Sequence, residues 1–255
     1  MRPIAIIALW CALAAVALAE PNAPVVTTGV LFDEMTDLAR LARWPNPPYR
    51  AVQFSSYDRR STSSEAPGWF SNADGFGGEP IPGFCKVLRE PREGKAGLYL
   101  LAEVRGPGAI VRGWTAGMGG VLRVYLDPAA DGSGVPIWEG PAQDFLARRS
   151  GHYMKMAGVA LDAKDALSQE DADYLPIPFA RGLKVTWEGR LDELHFYHLQ
   201  VRIYAPGTAV RTFDPKQDLK RFEPQLRAAV AGLGKPLAGP GGKPSTLAGA
   251  VEPGR

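Results

Sequence analysis

The sequence predicts an all-β protein, an antiparallel jelly-roll sandwich with a short N-terminal helix, and three observations point there. Short runs rich in Val, Leu and aromatic residues recur between residues 98 and 204, glycine-bearing turns separate them, and several alternate apolar with polar side chains. Gly (29) and Pro (23) are spread through the chain without a period, which suits many short strands better than a helical bundle.

Residues 1–19 read as a signal peptide. Arg2 supplies a positive start, Ile4 to Val16 are apolar or small, and Ala17-Leu18-Ala19 offers small residues at the cleavage spacing. The apolar run is shorter than the roughly 20 residues a membrane span requires, and Pro21 and Pro24 follow, so no stable membrane anchor is expected. The expected location is secreted or periplasmic. Cleavage removes Cys11 and leaves Cys85 alone, which rules out an internal disulfide and argues against a cysteine-based metal site.

Residues 20–46 form an N-terminal segment in which Leu31, Met35, Leu38 and Leu41/Ala42 recur at spacings of three and four behind Thr27. That spacing predicts one amphipathic helix over 28–43, closed by Trp44-Pro45. Residues 47–213 are expected to be the jelly-roll domain. It opens with a long stretch, Pro47 to Gly83, rich in Ser, Gly and Pro yet bearing Tyr57, Trp69, Phe70 and Phe76, the mark of an ordered functional loop.

Strands are predicted over 98–104, 109–116 and 120–127, then over 182–187 and 195–204. In the third, Leu122, Val124 and Leu126 share one face and Arg123, Tyr125 and Asp127 the other; in the last, Leu199, Val201 and Ile203 point inward and His198, Gln200, Arg202 and Tyr204 outward. Residues 214–255 are read as a short helix ending at Gly232 or Gly234, followed by a linker-like tail.

Lys plus Arg (29) nearly balance Asp plus Glu (27), the formal charge is +2 and no basic block occurs, which argues against nucleic acid as a partner. No G-x-S-x-G elbow, P-loop, H-E-x-x-H or paired C-x-x-C is present, and no cofactor is expected. His195 and His198, three apart on a strand, would face opposite ways and cannot share an ion; no metal site is expected. His152 reads as a loop residue, Asp127 to Gly134 as a hairpin turn, and Glu188 and Glu193 as exposed loop charges. The densest polar cluster is Ser55-Ser56-Tyr57-Asp58-Arg59-Arg60 followed by Trp69-Phe70-Ser71-Asn72-Ala73-Asp74. Carboxylates, an amide, a guanidinium and an indole are the groups from which sugar sites are built, and the same residues would also serve as a structural ion pair and turn caps.

These pieces, in this order, resemble the family first described as domain of unknown function 2961, now associated with glycoside hydrolase family 172. Besides the two clusters just quoted, the matching stretches are Gly106 to Arg112 with Trp114, Leu122 to Asp127, Gly140 to Phe145, Leu175 to Phe179 and Phe196 to Arg202, spread over roughly residues 28–213. The resemblance implies a double jelly roll assembled as a homo-oligomer, a trimer or a multiple of one, acting on furanoside carbohydrate by retaining hydrolysis with two glutamates. It also implies a sugar pocket at Asp58, Arg59, Trp69, Asn72 and Asp74. The family's catalytic glutamates belong to the second jelly roll, near Gly-Glu-Gly-Glu and Thr-Glu-Asp-Tyr-Phe stretches, and this sequence has neither. No catalytic residue is therefore assigned. The chain is expected to supply the N-terminal jelly roll of an exported hydrolase, or alternatively a non-catalytic carbohydrate-binding or assembly module.

Overall fold

The computed structural model describes residues 24–57, 63–65, 86–92 and 94–234. Among the described residues, ten strands make two antiparallel sheets. They are β1 (Tyr49–Ser55), β2 (Lys86–Arg89), β3 (Gly97–Arg105), β4 (Gly108–Thr115), β5 (Val121–Leu126), β6 (Trp138–Pro141), β7 (Ala172–Asp173), β8 (Ile177–Phe179), β9 (Gly182–Gly189) and β10 (Tyr197–Tyr204). The first sheet runs β1-β10-β4-β7, with β8 also on β4; the second runs β2-β3-β9-β5-β6. Four nested antiparallel pairs explain this order: β1 with β10, β3 with β9, β4 with β8, and β5 with β6. A long hairpin folded this way and rolled up, so that β10 also meets β4 and β9 also meets β5, is a jelly roll.

The alternation read from the sequence places the core. Leu122 and Val124 on β5 are buried, as are Leu199 and Val201 on β10, and they share one apolar cluster with Ile110, Val185 and Trp187. Leu126 and Ile203, also expected inside, pack only partly against it. β1 lies in the stretch read as a loop, and short or mixed strands also escaped the sequence reading. β7 and β8 have two and three residues, and β6 carries Gly and Pro, so none shows a period long enough to see.

Helices close the sandwich. The sequence predicts one helix over 28–43, but α1 (Thr28–Thr36) stops at Asp37 and a 3-10 turn follows over Leu38–Ala42. The segment Leu-Ala-Arg-Leu-Ala-Arg-Trp repeats every three residues, the period of a 3-10 helix rather than of an α-helix. Leu38, Leu41 and Trp44 consequently leave the core, at 56%, 83% and 94% exposure. The Thr27 hydroxyl accepts from the Val30 amide and caps α1. Phe32 reaches the main core, while Leu31 joins Val26, Ala109 and Tyr204 in a second cluster over the outer face of the first sheet. The C-terminal segment divides into α3 (Asp218–Arg221) and α4 (Glu223–Leu233), with Pro224 in the first turn of α4 and Gly234 at its end. α1 approaches the junction of α3 and α4 so closely that a Cβ on Gly29 would lie 2.5 Å from the Phe222 ring. Thr28 donates to the buried Asp218 carboxylate, which also pairs with Arg211.

A third helix was not foreseen. α2 (Ala142–Met156) follows β6, and His152, read as a loop residue, lies within it with its ring 4.7 Å from Trp138. Its buried stripe holds Phe145, Leu146, Tyr153 and Met154 but also Arg149 and Ser150, and those polar members erase the apolar period by which a helix is recognised. Gly113 of β4 lets α2 seat, since a Cβ there would meet the Leu146 carbonyl oxygen at 2.6 Å. Between β5 and β6 the expected turn is present. Asp127 adopts the left-handed region at φ 49, and its carboxylate accepts from the Arg181 and Gly182 amides and the Thr212 hydroxyl, tying three loops together.

Candidate functional site

The five residues assigned to a sugar pocket, Asp58, Arg59, Trp69, Asn72 and Asp74, lie outside the described residues, as do residues 1–19 and Cys85. The strand that leads to them is described. β1 ends at Ser55, which pairs with His198, and the next residue is fixed on both sides: the Ser56 amide donates to the Tyr197 carbonyl and the Ser56 hydroxyl accepts from the Tyr197 amide.

The register of β1, β10 and β4 builds a patch on the outer face of the first sheet. Gln53, Gln200 and Arg112 form one row; Ser55, His198 and Trp114 form the next. The Trp114 and His198 rings lie 4.8 Å apart, the Gln200 side-chain amide donates to Gln53 Oε1 at 3.1 Å, and the Arg112 guanidinium sits 5.8 Å over the Tyr174 ring. Three aromatic rings, two amides and a guanidinium are the donors, acceptors and stacking faces that a saccharide needs. The alternation of β10 had already turned His198 and Gln200 outward, and pairing with β4 adds Arg112 and Trp114. Tyr174 carried no mark in the sequence, because it sits between β7 and β8, both too short to show a pattern.

Glu188 and Glu193 are both spoken for. Glu188 is not a loop residue: β9 extends to Gly189, and the Glu188 carboxylate pairs with Arg89 at 2.5 Å and with Arg123 at 3.0 Å. Arg123 also pairs with Glu139 on β6. Glu193 turns back on its own 3-10 turn and accepts from the Arg190 amide. Hydrogen bonds from Arg89 and then Arg123 hold the Glu188 carboxyl below its ordinary value, so it stays ionised and is unsuited to donate a proton.

The same depression fixes a pH dependence. A carboxyl whose pKa is lowered by folding stabilises the protein above its unfolded value of about 4.3 and loses that contribution as pH falls below it. Glu188→Gln is expected to lower stability modestly near neutrality, with the gap to the parent closing below about pH 4, as followed by urea melts across that range. A gap unchanged with pH would show that the ion pairs do not contribute.

His195 lies just ahead of β10, with its backbone amide donating to Gly117, so the two histidines do not occupy one strand. Among the described residues no cluster of three or more His, Cys, Asp or Glu could hold a metal ion, and no helix is long and apolar enough to cross a membrane.

Comparison with known families matches the chain to the model described as GH172 first beta-sandwich domain, over residues 47–221. That span contains every strand and the whole patch. No curated protein matches the chain.

Proposed function

We propose, because this chain belongs to the GH172 family and carries its first β-sandwich domain, that it is the carbohydrate-engaging sandwich of an exported glycoside hydrolase acting on furanoside-containing glycans. The observation that carries the reading is the family match itself, and the patch of Trp114, His198, Gln200 and Arg112 supports it by offering stacking faces and hydrogen-bonding groups on one surface. The pocket is completed in this reading by Asp58, Arg59, Trp69, Asn72 and Asp74. The functional unit is a homo-oligomer, and its place is outside the cytoplasm.

A second reading is favoured by the state of the carboxylates. Glu188 is tied to two guanidinium groups, and the sequence lacks the family's two glutamate motifs. On that ground the chain binds or assembles and leaves bond cleavage to another sandwich.

Binding and cleavage are separable by experiment. The protein is titrated with fructofuranosyl and arabinofuranosyl oligosaccharides and assayed for released sugar. Binding lost on the double substitution Asp58→Ala with Asn72→Ala is the expected result, by about tenfold or more if each removes a good hydrogen bond to the sugar. Binding with release supports the hydrolase; binding without release supports the module; no binding to either glycan class sinks both.

A further inference from the structure

At the far end of the sandwich from that patch, where the β3–β4 corner meets the start of β1 and the end of β10, lies a groove of about 490 Å3. Its walls include Tyr49, Pro107, Tyr204 and Pro206, and both Arg50 and Arg105 line it. These two arginines come from different sheets. Among the described residues neither guanidinium has a carboxylate partner, in contrast to Arg89, Arg123 and Arg202, which are all paired.

Tyr204 forms one wall of the groove; it is buried, and its hydroxyl lies beside the Arg202 guanidinium, which is stacked 4.6 Å over Tyr49 and held by Glu34.

We propose that this groove is a binding site for a sugar carboxylate of the uronate type. The two guanidinium groups meet the carboxylate, and the Tyr and Pro walls take the C–H face of the ring. Guanidinium forks match a carboxylate in plane, and apolar walls would be wasted on a bare inorganic anion. The choice of a sugar body rests on the carbohydrate reading above; the anionic requirement rests on the arginines alone.

The test is calorimetric titration of the whole chain with D-glucuronate, with D-glucose and inorganic phosphate as comparison probes. Saturable glucuronate binding is expected, with glucose not binding and phosphate much weaker. The double variant Arg50→Gln with Arg105→Gln should bind glucuronate at least about tenfold more weakly. Both arginines are exposed, so an unchanged thermal midpoint is expected for the double variant. No saturable glucuronate binding, equal binding of phosphate, or undiminished binding by the double variant would each overturn the site. Furanoside binding is measured on the same double variant: its retention separates the two sites, and failure of furanoside binding in the parent counts against the proposed function without touching this groove.

Discussion

Asp173→Ala is expected to cost about 3–5 kcal/mol of folding free energy, because it leaves a buried guanidinium without its counter-charge. Arg149 on α2 and Asp173 on β7 are both fully buried, with 3.6 Å between Nε and Oδ1. The pair is also a hinge point of hydrogen bonds. Arg149 donates to the Leu175 carbonyl at 2.9 Å and to the Phe145 carbonyl, while Asp173 accepts from the Ser150 and Leu175 amides. Alanine at 173 therefore orphans two amides as well as the cation. Burial lowers the Arg149 pKa, as the absence of water would require, and Asp173 opposes that shift. For a chain of this size such a loss corresponds to roughly 6–20 °C in thermal midpoint. Replacing both partners by apolar residues of similar volume should recover most of the loss, since what is costly is the unpaired charge rather than the missing pair. Thermal and urea melts of the single and double variants decide this: a single variant within about 1 kcal/mol of the parent would mean that water reaches Arg149.

Trp187→Ala should be comparably damaging, at about 3–5 kcal/mol, by removing the largest fully buried side chain. Trp187 is the middle of a row that crosses the second sheet, between Tyr99 on β3 and Leu122 on β5. Its ring stacks on Tyr99 at 5.3 Å, and its indole N–H donates to the Gly119 carbonyl at 2.8 Å. Trp187→Phe keeps an aromatic ring in the row but strands the Gly119 carbonyl, and about 1–3 kcal/mol is expected from that alone. Equal losses for Ala and Phe, measured by urea unfolding, would show that the hydrogen bond and not the packing dominates.

How far the sequence could be read follows from the physics of each element. β5 and β10 are long, half-covered strands whose neighbours in sequence face opposite layers, so Leu122, Val124, Leu199 and Val201 declared themselves. α2 did not, because its inward stripe includes the Arg149 charge, whose burial is made tolerable only by Asp173, more than twenty residues away. The N-terminal helix was half legible: its apolar spacing was real, but the three-residue repeat from Leu38 to Trp44 wound it as a 3-10 turn and sent that face outward.

By itself the sequence determined the class of fold, the family and the polarity of β5 and β10, because these depend on residue type and local period. Which residues share a surface was decided only by tertiary structure. Trp114 and His198 stand 84 positions apart in the sequence, and the β10–β4 register alone brings their rings to 4.8 Å. Arg50, Arg105 and Tyr204 meet in one groove because the rolled hairpin returns its two ends to the same corner. Contacts of that kind are set by strand register and sheet order, which no window along the chain contains.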